Sequence, residues 1–174
     1  THLFFSEKRT IGSITFYSND KKMLVSNTLQ QIEVQLKQLP MYNKAIHLNI
    51  FFTNSWTIYM LLNPLNRTSF ATASTFFNYK RIIVSKTDFD TGTVENNKKE
   101  WNTRDITSLI VHESCHCYFA RIHALLTRLK MPSWKEEGLC EYYSNGSSYS
   151  VEKGFYNLKN NKEKRDGSSQ TVTT

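Results

Sequence analysis

Apolar and polar residues alternate along the chain with two periods, which predict strands in some segments and helices in others. Residues 11–17 and 46–52 alternate with a period of two, as half-buried strands do. Residues 23–39 repeat apolar positions at helical spacing, and Pro40 ends that helix. The same pattern predicts a short helix over 55–62, strands over 69–73 and 80–85, a polar irregular loop over 87–100 and a last short helix over 149–158.

Residues 102–130 contain neither proline nor glycine, so they predict one long helix or two abutting helices. Apolar residues such as Ile106 and Ile110 fall at helical spacing, and either Thr103 or Asp105 is the expected N-cap. Strands mixed with helices, followed by helices alone, indicate an α+β domain.

The predicted helix contains the sequence His112-Glu113-Ser114-Cys115-His116, an H-E-x-x-H pattern. On a helix the two histidines lie one turn apart on one face, so both imidazoles can bind one Zn²⁺. Glu113 can then act as general base toward a water activated by the metal. The alternative is a structural histidine pair with an incidental glutamate, but three polar groups on a core helix need a compensating partner.

A hydrolytic zinc site needs a third protein ligand and one open position. Candidates follow Pro132, where a second helix is predicted with Ser133 as N-cap and Glu136 completing a capping box. Glu137 lies in the first turns of this helix, and Glu141 lies one turn further on the same face. Spacing alone allows Glu136 or Glu137 as the third ligand, and a solvated helix face is the alternative interpretation of these carboxylates.

Together the two motifs, H-E-x-x-H and Pro-x-Trp-x-x-Glu-Gly-x-x-x-Tyr from Pro132, resemble the gluzincin metallopeptidases. This group includes thermolysin, the zinc aminopeptidases and small bacterial peptidase MA-like domains. The resemblance covers roughly residues 68–150. It implies a zincin-like fold, in which a twisted mixed sheet packs on the active-site helix and a short helical part follows. We therefore expect one zincin-like catalytic domain over residues 1–158 and a polar, flexible tail over 159–174.

The resemblance implies a zinc-dependent peptidase that hydrolyses peptide bonds with a metal-activated water. It implies that Zn²⁺ is held by His112, His116 and Glu137, with Glu113 as general base. Glu141 matches the carboxylate that orients a ligand histidine in this family. Candidate catalytic donors to an oxyanion are Tyr142 and Tyr143, with Tyr156 and His123 as further candidates. In the family an edge strand binds the peptide substrate, and residues 69–73 are the candidate for this strand, with an ordinary core strand as the alternative.

Three cysteines provide the basis for an alternative function, a non-catalytic zinc-binding domain used for binding or structure. Cys115, Cys117 and Cys140 all fall in the two predicted site helices, and a thiolate such as that of Cys140 could close the metal coordination. However, Cys115 and Cys117 are each rotated by about 100° from His116 on a helix. We therefore expect all three to be small buried residues.

The composition narrows the class of protein and its partners. A chain of 174 residues with 39% hydrophobic and 21% charged residues is expected to form one globular domain with a substantial core. The net charge of +7 comes from scattered residues without interleaved aromatics, so no nucleic-acid partner is expected. The expected partner is a peptide or protein substrate, and we expect a monomer. The family resemblance implies a place outside the cytoplasm, either secreted or held by a membrane tether upstream of the chain.

Overall fold

The computed structural model describes residues 4–65, 69–73, 81–96, 103–123 and 125–145, and its larger sheet has five strands. These are β1 (Glu7–Ile11), β2 (Ile14–Ser18), β3 (Leu48–Phe52), β4 (Ala71–Ala73) and β5 (Arg81–Val84). Their order across the sheet is β1-β2-β3-β5-β4. The three central strands are parallel, and β1 and β4 pair antiparallel on the outside, so the sheet is mixed.

Six helices occur in the described residues: α1 (Lys22–Val25), α2 (Thr28–Lys37), α3 (Trp56–Leu62), α4 (Ile106–Ile122), α5 (Leu125–Lys130) and α6 (Ser133–Ser144). The predicted α+β class with a mixed sheet is confirmed. The strand and helix predictions over 46–52, 55–62, 69–73 and 80–85 are confirmed with small shifts at their ends. The predicted helix over 149–158 and the tail over 159–174 lie outside the described residues.

Two boundary predictions in the first part of the chain are wrong. The predicted strand over 11–17 is a hairpin, because the chain reverses between β1 and β2 at Gly12 and Ser13. Gly12 has φ 56°, a left-handed conformation that favours glycine and suits the first position of a two-residue hairpin turn. The predicted helix over 23–39 is interrupted at Ser26, whose extended backbone separates α1 from α2.

The predicted irregular loop over 87–100 is also wrong in part. Three short strands, β6 (Thr87–Asp88), β7 (Thr93–Glu95) and β8 (Thr103–Asp105), form a second antiparallel sheet. Strands of two and three residues are too short to show a period of two, so the pattern alone could not reveal them. Val94 of β7 is fully buried and joins the main core, which ties this sheet to the rest of the domain.

The main core lies between one face of the larger sheet and helices α2 and α4. Alternate strand residues such as Ile50 and Val84 point into it and meet Leu29 and Ile32 of α2 and Ile110 of α4. Burial of each such side chain contributes roughly 1.5–3 kcal/mol. The intervening strand residues form a smaller cluster with α3 on the other face: Tyr17, Phe51, Tyr59 and Ile83.

Helix α4 runs through the domain and is held at its start by a cap. Asp105 has an extended backbone and its Oδ1 accepts a 2.7 Å hydrogen bond from the Ser108 amide, so of the two predicted candidates Asp105, and not Thr103, is the N-cap. Because α4 packs against α2, β4, β5 and α6, apolar residues surround most of it. None of the described helices has the length and apolar character that crossing a bilayer requires.

We expect Asp105→Ala to lower the free energy of unfolding by about 1 kcal/mol, because the first turn of α4 loses its side-chain acceptor. Asp105→Ser keeps an acceptor and should retain most of the stability. Chemical denaturation of the three proteins measures the difference. Equal stability of the alanine and serine variants would contradict a capping role for Asp105.

Candidate metal centre

Helices α4 and α6 together bring three metal-binding side chains to one point. The Nε2 atoms of His112 and His116 lie 3.2 Å apart on one face of α4. The Glu137 carboxylate of α6 faces both rings, with Oε2 3.5 Å from His112 Nε2 and Oε1 3.5 Å from His116 Nε2. In the part of the chain that the structure describes, these side chains are the one group of His, Cys, Asp and Glu residues with donor atoms close enough for a shared ion.

The spacing of these side chains allows one shared metal ion. Zinc bonds of about 2.0–2.2 Å at tetrahedral angles separate the ligand atoms by about 3.3–3.6 Å. The two Nε2 atoms, 3.2 Å apart, come close to that separation. Glu137 reaches the two rings with different oxygens, and one ligand atom from each of the three residues lies within 4.8 Å of the others. No fourth His, Cys, Asp or Glu among the described residues belongs to this group, and all three side chains line a cleft.

The His112 ring is held neutral by its surroundings. Its side chain is only 7% exposed, and burial, with a further contribution from neighbouring His116, lowers its pKa to about 4. Its Nδ1 atom is buried without a hydrogen-bond partner, 3.6 Å from Oε1 of Glu141. A proton on Nδ1 would face that carboxylate and leave the Nε2 lone pair directed at the site.

A hydrogen bond to Glu136 fixes the second histidine. His116 Nδ1 lies 2.9 Å from Glu136 Oε1, and the same oxygen accepts a 2.8 Å hydrogen bond from Nη2 of Arg128. Nε of Arg128 donates to the other oxygen at 3.3 Å. Burial alone would raise the pKa of Glu136, but the hydrogen bonds from Arg128 and His116 outweigh it and the pKa is lowered.

The position of Glu136 overturns the predicted capping box. Pro132 occupies the N-cap position of α6 and no side chain caps the helix, so Ser133 is its first helical residue. Glu136 turns toward His116 because an imidazole and a guanidinium offer stronger, charge-assisted partners than a backbone amide. One sequence signal could have suggested this role. Glu136 and Glu137 are adjacent and about 100° apart on a helix, so they can reach different nitrogens of one site.

Glu141 lies where the family resemblance implies, beside His112. Its Oε1 is 3.6 Å from His112 Nδ1, and it is held by Nη2 of Arg104 at 2.9 Å and 3.2 Å to its two oxygens. A role for Arg104 was not predicted, because it lies in β8, which is too short to be recognised from the sequence pattern. Both histidines therefore face a carboxylate that is paired with an arginine.

A cleft of about 420 Å³ opens beside the three donor groups. Glu113 lines it from α4, and Ser69, Ala71 and Thr72 line it from the segment of β4. Within the described residues β4 is one of the two outer strands of its sheet, in agreement with the edge-strand prediction for residues 69–73.

The Tyr59 hydroxyl ties this strand to the body of the domain. It lies 2.7 Å from Ser69 Oγ and 3.2 Å from Thr72 Oγ1. Tyr59 has no exposed surface, and burial is the main cause that raises its pKa. The charge of Glu113 raises it further, so the hydroxyl stays protonated at neutral pH and can donate into the cleft wall.

The tyrosines predicted as oxyanion donors do not line the cleft. Tyr142 is 76% exposed, and Tyr143 packs against the main core. His123 lies against the ring of Phe119, and Tyr156 is outside the described residues. A catalytic role for Tyr142 or Tyr143 stays a prediction that the placement of these side chains does not support.

The three cysteines are buried and free, as expected from the sequence. None belongs to the group of metal-binding donors. Burial raises the pKa of the Cys117 thiol, and contact with Cys115 together with burial raises that of Cys140. A zinc ligand must be a thiolate, which a lowered pKa favours. The raised pKa of both thiols is therefore unfavourable for that role.

Comparisons of this chain with models of protein families, with curated proteins and with solved structures find no match.

Acid should destabilise the metal-free protein through His112. Its folded pKa of about 4 lies below the ordinary value of 6.5, so the unfolded state binds more protons between these values. The contribution of His112 to the free energy of unfolding is fully present above pH 6.5. It should fall by about 2 kcal/mol between pH 6.5 and pH 5. Denaturation with a chelator present measures this slope. His112→Gln should flatten this slope, and an unchanged slope in that variant would contradict the assignment.

Proposed function

We propose that this chain is a zinc-dependent peptidase of the gluzincin type with a zincin-like fold. The observation that carries the proposal is the triangle formed by the two Nε2 atoms and the Glu137 carboxylate, open to a cleft that also contains Glu113. A structural zinc site is normally closed by four protein ligands, whereas a hydrolytic site leaves one position for water and substrate. The described residues supply three candidate ligands and, in Glu113, a candidate general base.

The charge of the cleft supports a bound cation. Among the described residues, three carboxylates line it, those of Glu113, Glu136 and Glu137, together with one guanidinium, that of Arg128. This excess of negative charge occurs in a protein whose formal net charge is +7. Neighbouring carboxylates repel one another, and a cation between them relieves that repulsion. A divalent ion at the donor triangle would balance the excess.

The reaction uses Glu113 as proton carrier. A bound zinc ion supplies Lewis acidity, which polarises a carbonyl group and makes water more acidic. The Glu113 carboxylate accepts the proton of the attacking water and passes it to the leaving amine. Glu113 lines the cleft together with the three candidate ligands, so its carboxylate lies on the side where water and substrate would bind.

Strand β4 positions the substrate. Its outer edge offers backbone N–H and C=O groups to an extended peptide, which adds to the sheet as a further strand. Because Ala71 and Thr72 line the cleft with Glu113, a peptide bound along this edge would lie beside the donor triangle. The substrate class is therefore an extended segment of peptide or unfolded protein.

We expect the purified chain to contain about one zinc per molecule, measured by elemental mass spectrometry. Glu137→Ala removes one of three ligands and should abolish stable retention of zinc. The matched control is Glu95→Ala, which removes a carboxylate that pairs with Lys86 at the surface. Zinc content that is absent, or that is unaffected by Glu137→Ala, would refute the metal centre.

Glu113→Gln should lower peptide hydrolysis by at least about 100-fold, because the amide cannot accept the proton. Its zinc content should stay unchanged, since Glu113 is not a ligand. Cleavage is followed by mass spectrometry on a mixture of unstructured peptides. Full activity in this variant would contradict the mechanism. A wild-type protein that binds zinc and cleaves none of the peptides would instead indicate a non-catalytic zinc domain.

A further inference from the structure

We infer that Arg128 is a positioning residue of the metal centre, which acts through Glu136 to fix the ring of His116. The inference rests on the proposed function for its metal, but it starts from one atom, Oε1 of Glu136. That oxygen accepts from Nη2 of Arg128 at 2.8 Å and lies 2.9 Å from Nδ1 of His116. Arg128 is thus joined to the ligand ring through a single shared acceptor.

The fork of the guanidinium determines how Glu136 is oriented. Nη2 and Nε of Arg128 reach one carboxylate oxygen each, at 2.8 and 3.3 Å. Two parallel hydrogen bonds fix the plane of a carboxylate more firmly than one does, and one still restrains it more than none. The side chains of Arg128 and Glu136 are only 17% and 13% exposed, so water competes weakly for these bonds.

The orientation of Glu136 in turn sets the tautomer of His116. A carboxylate facing Nδ1 keeps the proton on that atom and leaves the Nε2 lone pair for the metal. His116 Nε2 points toward His112 and Glu137, at 3.2 and 3.5 Å, so the lone pair is directed at the metal position. Without Arg128, Glu136 can turn away and the His116 ring loses its preferred tautomer and angle.

A second arginine repeats the arrangement on the other ligand. Arg104 holds Glu141, and Glu141 faces Nδ1 of His112. The two arginines come from different elements, β8 and α5, while both carboxylates come from α6. A chance surface ion pair would not place its carboxylate against the same nitrogen of each ligand ring. The repetition supports a role in positioning for Arg128.

Removal of Arg128 also changes the charge near the metal, so the test must separate charge from hydrogen bonding. Arg128→Gln and Arg128→Met both remove the charge. The amide nitrogen of the glutamine takes the place of Nε, which reaches Glu136 in the native protein, whereas methionine donates nothing. The difference between the two variants therefore measures positioning alone.

The zinc dissociation constant of each variant is measured by competition with a chromophoric chelator. We expect Arg128→Met to bind zinc about tenfold or more weakly than Arg128→Gln, the scale typical for partners of metal-binding histidines. Equal affinity of the two variants would overturn the inference. If Arg128→Met does not fold, Glu136→Gln and Glu136→Met form a second pair with equal charge, and the same difference is expected because only glutamine retains an acceptor for Nδ1.

A second readout does not depend on zinc. Nitrogen-15 NMR of the histidine rings in the metal-free protein should show the proton of His116 on Nδ1 in the wild type and in Arg128→Gln. Arg128→Met should show a mixture of the two tautomers. An unchanged tautomer in Arg128→Met would refute the positioning role. A wild-type protein with the expected tautomer but no affinity for zinc would refute the proposed function and leave the contact through Glu136 intact.

Discussion

The packing of α4 against α6 is the contact on which the rest of the structure depends, because each helix carries half of a polar cluster that neither could bury alone. His112 and His116 project from an otherwise apolar helix, and Glu136, Glu137 and Glu141 project from the helix that faces it. Polar groups taken out of water are costly unless they meet partners. The cluster meets this condition because every carboxylate of α6 named here faces an imidazole nitrogen. The sheet and α2 supply the apolar support that holds α4 in place.

The carboxylates of this cluster fall into two groups, those paired with an arginine and the one that faces the metal position. Arg104 and Arg128 each neutralise one carboxylate that faces an Nδ1 atom, while Glu137 faces the two Nε2 atoms without a close arginine in the described contacts. The histidines therefore have anchored carboxylates on their outer side and a ligand carboxylate on their inner side. An anchored carboxylate holds a ring in place, whereas a carboxylate facing two imidazole lone pairs calls for a cation. This division gives different roles to three glutamates that lie within two turns of one helix.

Much of the fold could be predicted from the sequence. The parts that could not be predicted have one physical cause in common. The histidine pair, the helix around it and the Asp105 cap depend on residues within one turn of each other, so local spacing was sufficient. The second sheet depends on pairing between strands of two or three residues, for which no period exists. Arg128 meets Glu136 only because α5 and α6 come together, and no local pattern encodes that contact. The predicted capping box is wrong for the same reason. Glu136 bonds to His116, which is distant in sequence, instead of to a backbone amide of its own helix.

The junction between β8 and α4 has a consequence for how this protein tolerates insertions and deletions. Asp105 is the last residue of β8 and the N-cap of α4, so strand and helix meet without a linker. The pairing of β8 with β7 therefore fixes the angle at which α4 begins. One residue added between Asp105 and His112 would rotate both histidines by about 100° about the helix axis, away from Glu137. Lineages of this protein should accordingly vary in length elsewhere and keep this seven-residue interval constant.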